Sequence, residues 1–274
     1  MKSYQGSSKT KIWLAALALV GAAAGCGGGG GGNNDGAAAS GSNPGPAGAS
    51  PTLGTAGPYG VFASSAAITL AAGALIEGDV GLNPVGACNN CVQGVTVTGA
   101  IHNGDAQAIQ AQMDFSAAYV DAANRSTNAC TIVDGELSSA QASCGGVTSG
   151  PTYVAGLYRT ANPIGVGATF TITLDAQGNP DAVFIFQTDS AITTGSNSKV
   201  VLANGAQAKN VWWMAGSAAT LGVSSIFKGT VIANGAAVSV LGGTALEPTL
   251  VEGRMFSSAG AITVATFATV TVPQ

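Results

Sequence analysis

The chain has 274 residues, and Lys, Arg, Asp and Glu together make up only 8% of it, against about 25% in an ordinary soluble domain. Hydrophobic residues reach 46% but aromatics only 6%, and Gly fills 41 positions; any core must be built of small and β-branched side chains, and disorder through high net charge is excluded. A formal net charge of −4 with one histidine, His102, argues against nucleic-acid binding, which needs clustered Lys and Arg, and against serine-triad or histidine-rich metal chemistry. Neither a cofactor nor a metal is expected.

Lys2, Lys9 and Lys11 precede an apolar run over residues 12–24. The run is too short to span a bilayer and has the n-region and h-region layout of a secretory signal. Its end, Ala23-Ala24-Gly25-Cys26, resembles the lipobox of bacterial lipoproteins, which implies lipidation of Cys26 and a membrane partner through that lipid. The first lipobox position, most often Leu, is Ala23 here. Residues 1–25 read as a signal peptide and 26–50, rich in Gly, Ala, Ser and Pro, as a tether. At about 5–6 Å × √n, 24 such residues reach about 25–30 Å. The expected location is exported and lipid-anchored at the cell surface or outer membrane, otherwise secreted.

Cys88, Cys91, Cys130 and Cys144 then form an even set in an oxidising compartment. Four cysteines allow three pairings, and the favoured one is Cys130–Cys144, closing a polar loop worth about 3 kcal/mol. Cys88-Asn-Asn-Cys91 can then close locally. It has no second C-x-x-C and no neighbouring histidine, so redox and zinc roles are disfavoured.

From Thr52 onward one short pattern recurs: Ala67-Ile68-Thr69-Leu70, Ala191-Ile192-Thr193-Thr194, Ala218-Ala219-Thr220-Leu221, Ala237-Val238-Ser239-Val240 and Ala261-Ile262-Thr263-Val264. Such alternation predicts strands whose second and fourth residues face a core and whose third faces out. A second pattern, Glu77-Gly78-Asp79-Val80, Lys228-Gly229-Thr230-Val231 and Glu252-Gly253-Arg254-Met255, trails three of the copies. The last four copies of the first pattern lie 27, 19 and 24 residues apart, a spacing typical of solenoids. Further β-rich segments lie between them, and no coil can bury its apolar side alone, so the coils must stack. One segment breaks this rhythm. From about Asp105 to Asn124, Ala106, Ile109, Met113, Ala117 and Val120 form an amphipathic stripe, predicting one helix that is capped by Asn103 or Asp105 and covers a side of the solenoid.

Several stretches resemble the bacterial and fungal ice-binding proteins. They are Leu53-Gly54-Thr55-Ala56, Ile76-Glu77-Gly78-Asp79-Val80-Gly81 with Pro84, Ile101-His102 leading into the helix, Leu174-Asp175-Ala176-Gln177-Gly178, Ala182-Val183-Phe184-Ile185-Phe186, and Asn204 through Trp212-Trp213 to Gly222. The resemblance covers roughly residues 52–272. It implies an irregular right-handed β-helix of triangular section, mainly β, with one long α-helix alongside and the N-terminal coil packed beside the C-terminal one. The folded domain is expected over residues 51–274, with the helix at about 105–124. The resemblance also implies a flat strand face that binds ice and no enzymatic activity. Many members carry a Thr-Ala/Gly-x-Thr/Asn motif, which only Thr194-Gly195-Ser196-Asn197 matches here. Leu221-Gly222-Val223-Ser224 and Val264-Ala265-Thr266-Phe267 depart from it.

The candidate face centres on the outward column Thr69, Thr193, Thr220, Ser239 and Thr263, with Thr194, Ser196, Asn197, Ser224, Thr244 and Thr266 at its flank. Threonine is stiff at χ1 and carries both a methyl and a hydroxyl, although it also simply suits exposed strands. The expected partner is the surface of an ice crystal, met by a monomer. Another reading is an adhesin or carbohydrate-binding β-helix using Trp212 or Trp213 and the loop around Cys88 and Cys91. His102 reads as a turn or capping residue, and the charges of the Gly-centred pattern as a stacked ladder. Asp175, Asp181 and Asp189 form no pair placed for acid–base work.

Overall fold

The computed structural model describes residues 44, 46–139, 147–148 and 151–274. The recurring tetrapeptide builds one face of a β-helix. Seven short parallel strands lie side by side in the order Ile164–Val166, Ile192–Thr194, Ala219–Leu221, Val238–Val240, Ile262–Val264, Ile68–Leu70 and Cys88–Asn89. Ile192, Ala219, Val238, Ile262 and Ile68 point inward and are buried. The N-terminal strand at Ile68 pairs with the C-terminal one at Ile262, as the resemblance implied.

A second, larger sheet, parallel except for the antiparallel pair of Val147–Thr148 with Thr152–Val154, supplies two more faces. Its long strands Ile226–Ala233 and Thr249–Ser257 turn the corner between them. On one side lie Thr152–Val154, Thr171–Asp175, Lys199–Ala203, Ala268–Thr271 and Leu75–Glu77; on the other lie Gly156–Thr160, Phe184–Thr188, Val211–Ala215, Tyr59–Ala63, Asp79–Leu82 and Ile101–Asn103. The Gly-centred repeat marks this corner, with Lys228 opposite Glu252 and Gly229 opposite Gly253. A Cβ on Gly253 would lie 1.9 Å from the Gly229 carbonyl oxygen, so stacking excludes any side chain there.

The interior is filled by aliphatic side chains and one aromatic column. Tyr158 stacks on Phe186 at 5.0 Å between centroids, Phe186 on Trp213 at 4.3 Å, and Trp213 meets Phe227 at 5.1 Å. The buried Trp213 indole donates to the Lys228 carbonyl at 2.9 Å, meeting the need for a partner that burial imposes.

The helix runs over Ala106–Asn124 and covers the second of these faces. Its buried stripe is Ala108, Ala111, Phe115, Ala118 and Ala122. This corrects the expected stripe: Ile109, Met113 and Val120 are 45%, 54% and 56% exposed. The two stripes lie on nearly opposite faces of the helix, about 180° apart, because the buried residues fall about two positions after the expected ones. Alanines let the helix approach closely, while the volume is supplied by Phe115 and by Phe62, Trp212 and Phe256 of the strands. Phe115 lies 5.2 Å from both Phe62 and Phe256.

Polar contacts fix the helix in place. Asp114 accepts from the backbone N–H and the hydroxyl of Thr55, both at 2.7 Å, and these contacts hold its carboxyl below the usual carboxylate range. At the C-terminal end of the helix the Gln187 amide donates to the Ala122 and Arg125 carbonyls. Arg125 pairs with Asp121 and donates to the carbonyls of Ala47 and Ala49, and Trp212 donates to Ser50 Oγ at 3.0 Å. Residues 47–50, expected to belong to the tether, are thus held on the folded body, because a guanidinium and an indole use their backbone and hydroxyl groups as acceptors.

Asp105 is the N-cap, accepting from the Ala108 N–H at 2.8 Å and contacting His102 Nδ1 at 2.8 Å. The Ala108 bond, then His102, holds its carboxyl below the ordinary range. Asp105→Ala should therefore cost about 1 kcal/mol near neutral pH. The folded carboxyl is lowered, so this contribution is complete above the unfolded value of about 3.9 and is lost as pH falls through the folded value. Thermal unfolding of both chains should show a gap at neutral pH that closes in acid.

Candidate functional site

The seven-stranded face carries a register-matched outward column. Gly165, Thr193, Thr220, Ser239, Thr263, Thr69 and Asn89 lie in successive coils. Thr193 and Thr263 are exposed, and Thr220, Ser239 and Thr69 half-buried. The Asn89 amide donates to Thr69 Oγ1 at 3.1 Å, extending the hydroxyl row by one polar group. Along the strands, alternation adds a methyl row of half-buried Ala191, Ala218, Ala237, Ala261 and Ala67. The carbonyls of these alanines accept from the next coils at 2.9–3.0 Å, so their backbone is committed to the ladder. The result is alternating methyl and hydroxyl rows with strands about 4.7–4.9 Å apart.

The flank is built differently from the expectation. The third residue after each of four strands, Thr169, Asn197, Ser224 and Phe267, has φ between 54° and 65°, giving left-handed corners, of which the first three stack in successive coils. Asn suits this conformation, whereas a β-branched or bulky residue there is strained. Thr194 is corrected: it is the inward fourth residue of its tetrapeptide, it is buried, and its Oγ1 accepts the Gly222 N–H at 2.9 Å. Ser224 and Thr244 serve turns, because Ser224 Oγ donates to the Glu247 carbonyl at 2.8 Å and Thr244 Oγ1 accepts the Glu247 N–H at 3.0 Å. Ser196, Asn197 and Thr266 are exposed beside the column.

Both ends of the face are closed. At one end Glu136 bridges to Gly165 and its carboxylate, with Ser138 Oγ, accepts the Gly167 N–H; at the other, the Cys88–Cys91 disulfide locks the last strand. Closed edges resist pairing with a foreign strand. Cys130 is also disulfide-bonded; its expected partner, Cys144, lies outside the described residues, as does Cys26.

Apart from Glu136, the paired charged groups sit on the other faces. Lys228 pairs with Glu252 at 2.6 Å, and Thr271 donates to Glu77 at 2.7 Å. The expected ladder is only partial. Asp79 accepts instead from the Ala100 N–H, and the buried Arg254, whose pKa desolvation lowers to about 10, donates to the Gly57 carbonyl. Trp212 and Trp213 are both buried, one under the helix and one in the interior, so neither offers an exposed platform for a sugar. His102 lines a cavity of about 510 Å³ with Tyr59, Asp79 and Gln107; burial, then Asp105 and Asp79, pushes the Tyr59 phenol up to about 12. Among the described residues no group of three or more His, Cys, Asp or Glu is placed to hold a metal, and no helix is long and apolar enough to cross a membrane.

Sequence comparison identifies residues 62–271 as matching a family described as ice-binding-like. The chain belongs to this family. It is 34% identical over 181 residues to an ice-binding protein from Nostoc sp., covering 66% of this chain and 61% of that protein. It is 29% identical over 217 residues to ice-binding protein 1 of Shewanella frigidimarina, covering 67% of this chain and 22% of that much longer one. The crystal structure of an ice-binding protein from an Antarctic biological consortium superposes with a TM-score of 0.68 at 32% identity, over 82% of this chain and 92% of that one. These matches establish the β-helix fold of the ice-binding-like family for this chain.

The family match encloses every coil of the seven-stranded face. The alanine row and Asn89 were not among the site residues expected from sequence. The alanines were visible as the first letter of the recurring tetrapeptide, whereas Cys88-Asn89 carries no copy of it. The inward and outward assignments make opposite expectations for adjacent threonines. Thr194→Ala, which leaves a buried N–H unsatisfied, should cost about 1–3 kcal/mol, and Thr193→Ala should stay within about 0.5 kcal/mol of the parent. Denaturant unfolding of the two variants checks this.

Proposed function

We propose that this chain binds ice by adsorbing the methyl-and-hydroxyl face centred on Thr193, Thr220, Ser239, Thr263 and Thr69, flanked by Ser196, Asn197 and Thr266. The observation that carries the reading is the absence of charge. From the coil of Thr193 to that of Asn89 no Lys, Arg, Asp or Glu stands among the outward residues, and the one carboxylate beside the column, Glu136, caps its Gly165 end, whereas one other strand face carries Asp175, Lys199, Lys228, Glu252 and Glu77 and the third lies under the helix. Stripping water from ions is expensive, so a charged surface keeps its own hydration, while rigid hydroxyls and methyls on a strand lattice can share water with a crystal. Its relatives are named ice-binding proteins, which supports the same reading. Such adsorption needs no chemical step, and one copy presents a complete face, so the chain acts as a non-enzymatic monomer.

The wider arrangement belongs to the same proposal. Residues 1–25 direct export, Cys26 is lipidated, and the following linker holds the domain away from the membrane, where it inhibits ice growth or recrystallisation or attaches the cell to ice. In the full chain, Thr220→Arg should abolish ice shaping and thermal hysteresis while stability changes by no more than about 0.5 kcal/mol; undiminished hysteresis in that variant would refute the proposed face. Cys26→Ser should move the protein from the membrane fraction to the soluble one on fractionation of the expressing cells.

A further inference from the structure

Resting on the ice-binding reading, we infer that Leu241 interrupts the adsorbing face and limits its hold on ice. A row runs along the corner side of the hydroxyl column, formed by the residue that follows each of the first six strands: Gly167, Gly195, Gly222, Leu241, Ala265 and Ala71. The row stays in the ladder. The N–H groups of Gly195, Leu241, Ala265 and Ala71 donate to the strand ends Val166, Leu221, Val240 and Val264 of the neighbouring coils at 2.8–2.9 Å. At Gly222 a Cβ would lie 2.3 Å from the Gly195 carbonyl oxygen, so stacking itself keeps the row bare there. Five of the six positions thus carry a hydrogen or a methyl.

Leu241 alone carries a large side chain, 39% exposed, and it belongs to the fourth of the seven coils, the middle of the face. Its coil is also the irregular one. In place of the left-handed corner it makes a longer excursion over residues 242–248, closed by the Thr244 N–H on the Glu247 carbonyl at 2.9 Å. Contact forces are short-ranged, and a gap of about 0.5–1 Å already forfeits a quarter to a half of the attraction. A central isobutyl group therefore holds the neighbouring hydroxyls and methyls off a flat crystal plane.

The experiment compares the full chain with Leu241→Ala, Leu241→Phe and Thr220→Arg, each checked for an unchanged unfolding transition. Thermal hysteresis at equal concentration should fall in the order Leu241→Ala, parent, Leu241→Phe, with the alanine variant about twofold or more above the parent once the gap closes and the flanking rows reach the crystal plane. Equal or lower hysteresis in a folded Leu241→Ala variant overturns the inference, and the face itself stands if Thr220→Arg is inactive. A parent chain that neither shapes ice nor shows hysteresis overturns the ice-binding reading and this inference together.

Discussion

Each coil of the β-helix leaves a row of backbone N–H and C=O groups that only the next coil can satisfy. The parallel ladder that satisfies them fixes both the spacing between coils and their register, and the remaining structure follows from it. Inward positions of successive coils must align, which selects Ile192, Ala219, Val238, Ile262 and Ile68 for one wall of the interior. Where the interior takes larger groups, they stack along the axis, as Tyr158, Phe186 and Trp213 do. Where the chain turns most tightly, the ladder admits only glycine, as at the Gly229–Gly253 contact. The same register that orders the interior orders the exterior, so the hydroxyl column is a by-product of the core's own regularity.

The helix decides which exterior remains available. It meets the strands with alanines and one phenylalanine, covering the aromatic outer surface of Phe62, Trp212 and Phe256. Its middle is tied by side-chain hydrogen bonds to Thr55 and its C-terminal end to Gln187 and the backbone of residues 47–49, and the domain thereby gains a second hydrophobic layer without widening the coils. Charge is segregated in the same way: the Lys228–Glu252 pair and Asp175 occupy a different strand face, and Arg254 is buried against the Gly57 carbonyl. The seven-stranded face is left uncovered and, away from Glu136 at its Gly165 end, uncharged.

Most of the fold was legible because the β-helix repeats its local rules. The tetrapeptides marked the strands, their inward and outward residues and the hydroxyl column, and the Gly-centred pattern marked a corner. What failed did so for identifiable reasons. The helix stripe was misphased because apolarity pointed to Ile109, Met113 and Val120, whereas close approach to a sheet favours the smaller Ala108, Ala111 and Ala118. Thr194 was assigned to the surface by a family motif, although its own tetrapeptide position turns it inward. Ser224 and Thr244 have the residue type of a surface site but are spent on a turn whose partner, Glu247, lies in an excursion with no counterpart in the other coils. Asn89 joined the column only through a pairing that no local pattern announces.

The pairing of Ile68–Leu70 with Ile262–Val264 has a kinetic consequence. These two neighbours, the fifth and sixth of the seven strands, are separated by nearly the whole domain in sequence, so their contact is among the most non-local in the molecule. Contacts of that kind form slowly, since a long loop must close before the pairing returns any free energy. During synthesis the first coil waits for the last, with its strand edge open, until the C-terminal residues have emerged. The face therefore becomes continuous only at the end of folding, and a chain truncated near either terminus loses a strand from within its surface rather than from its margin.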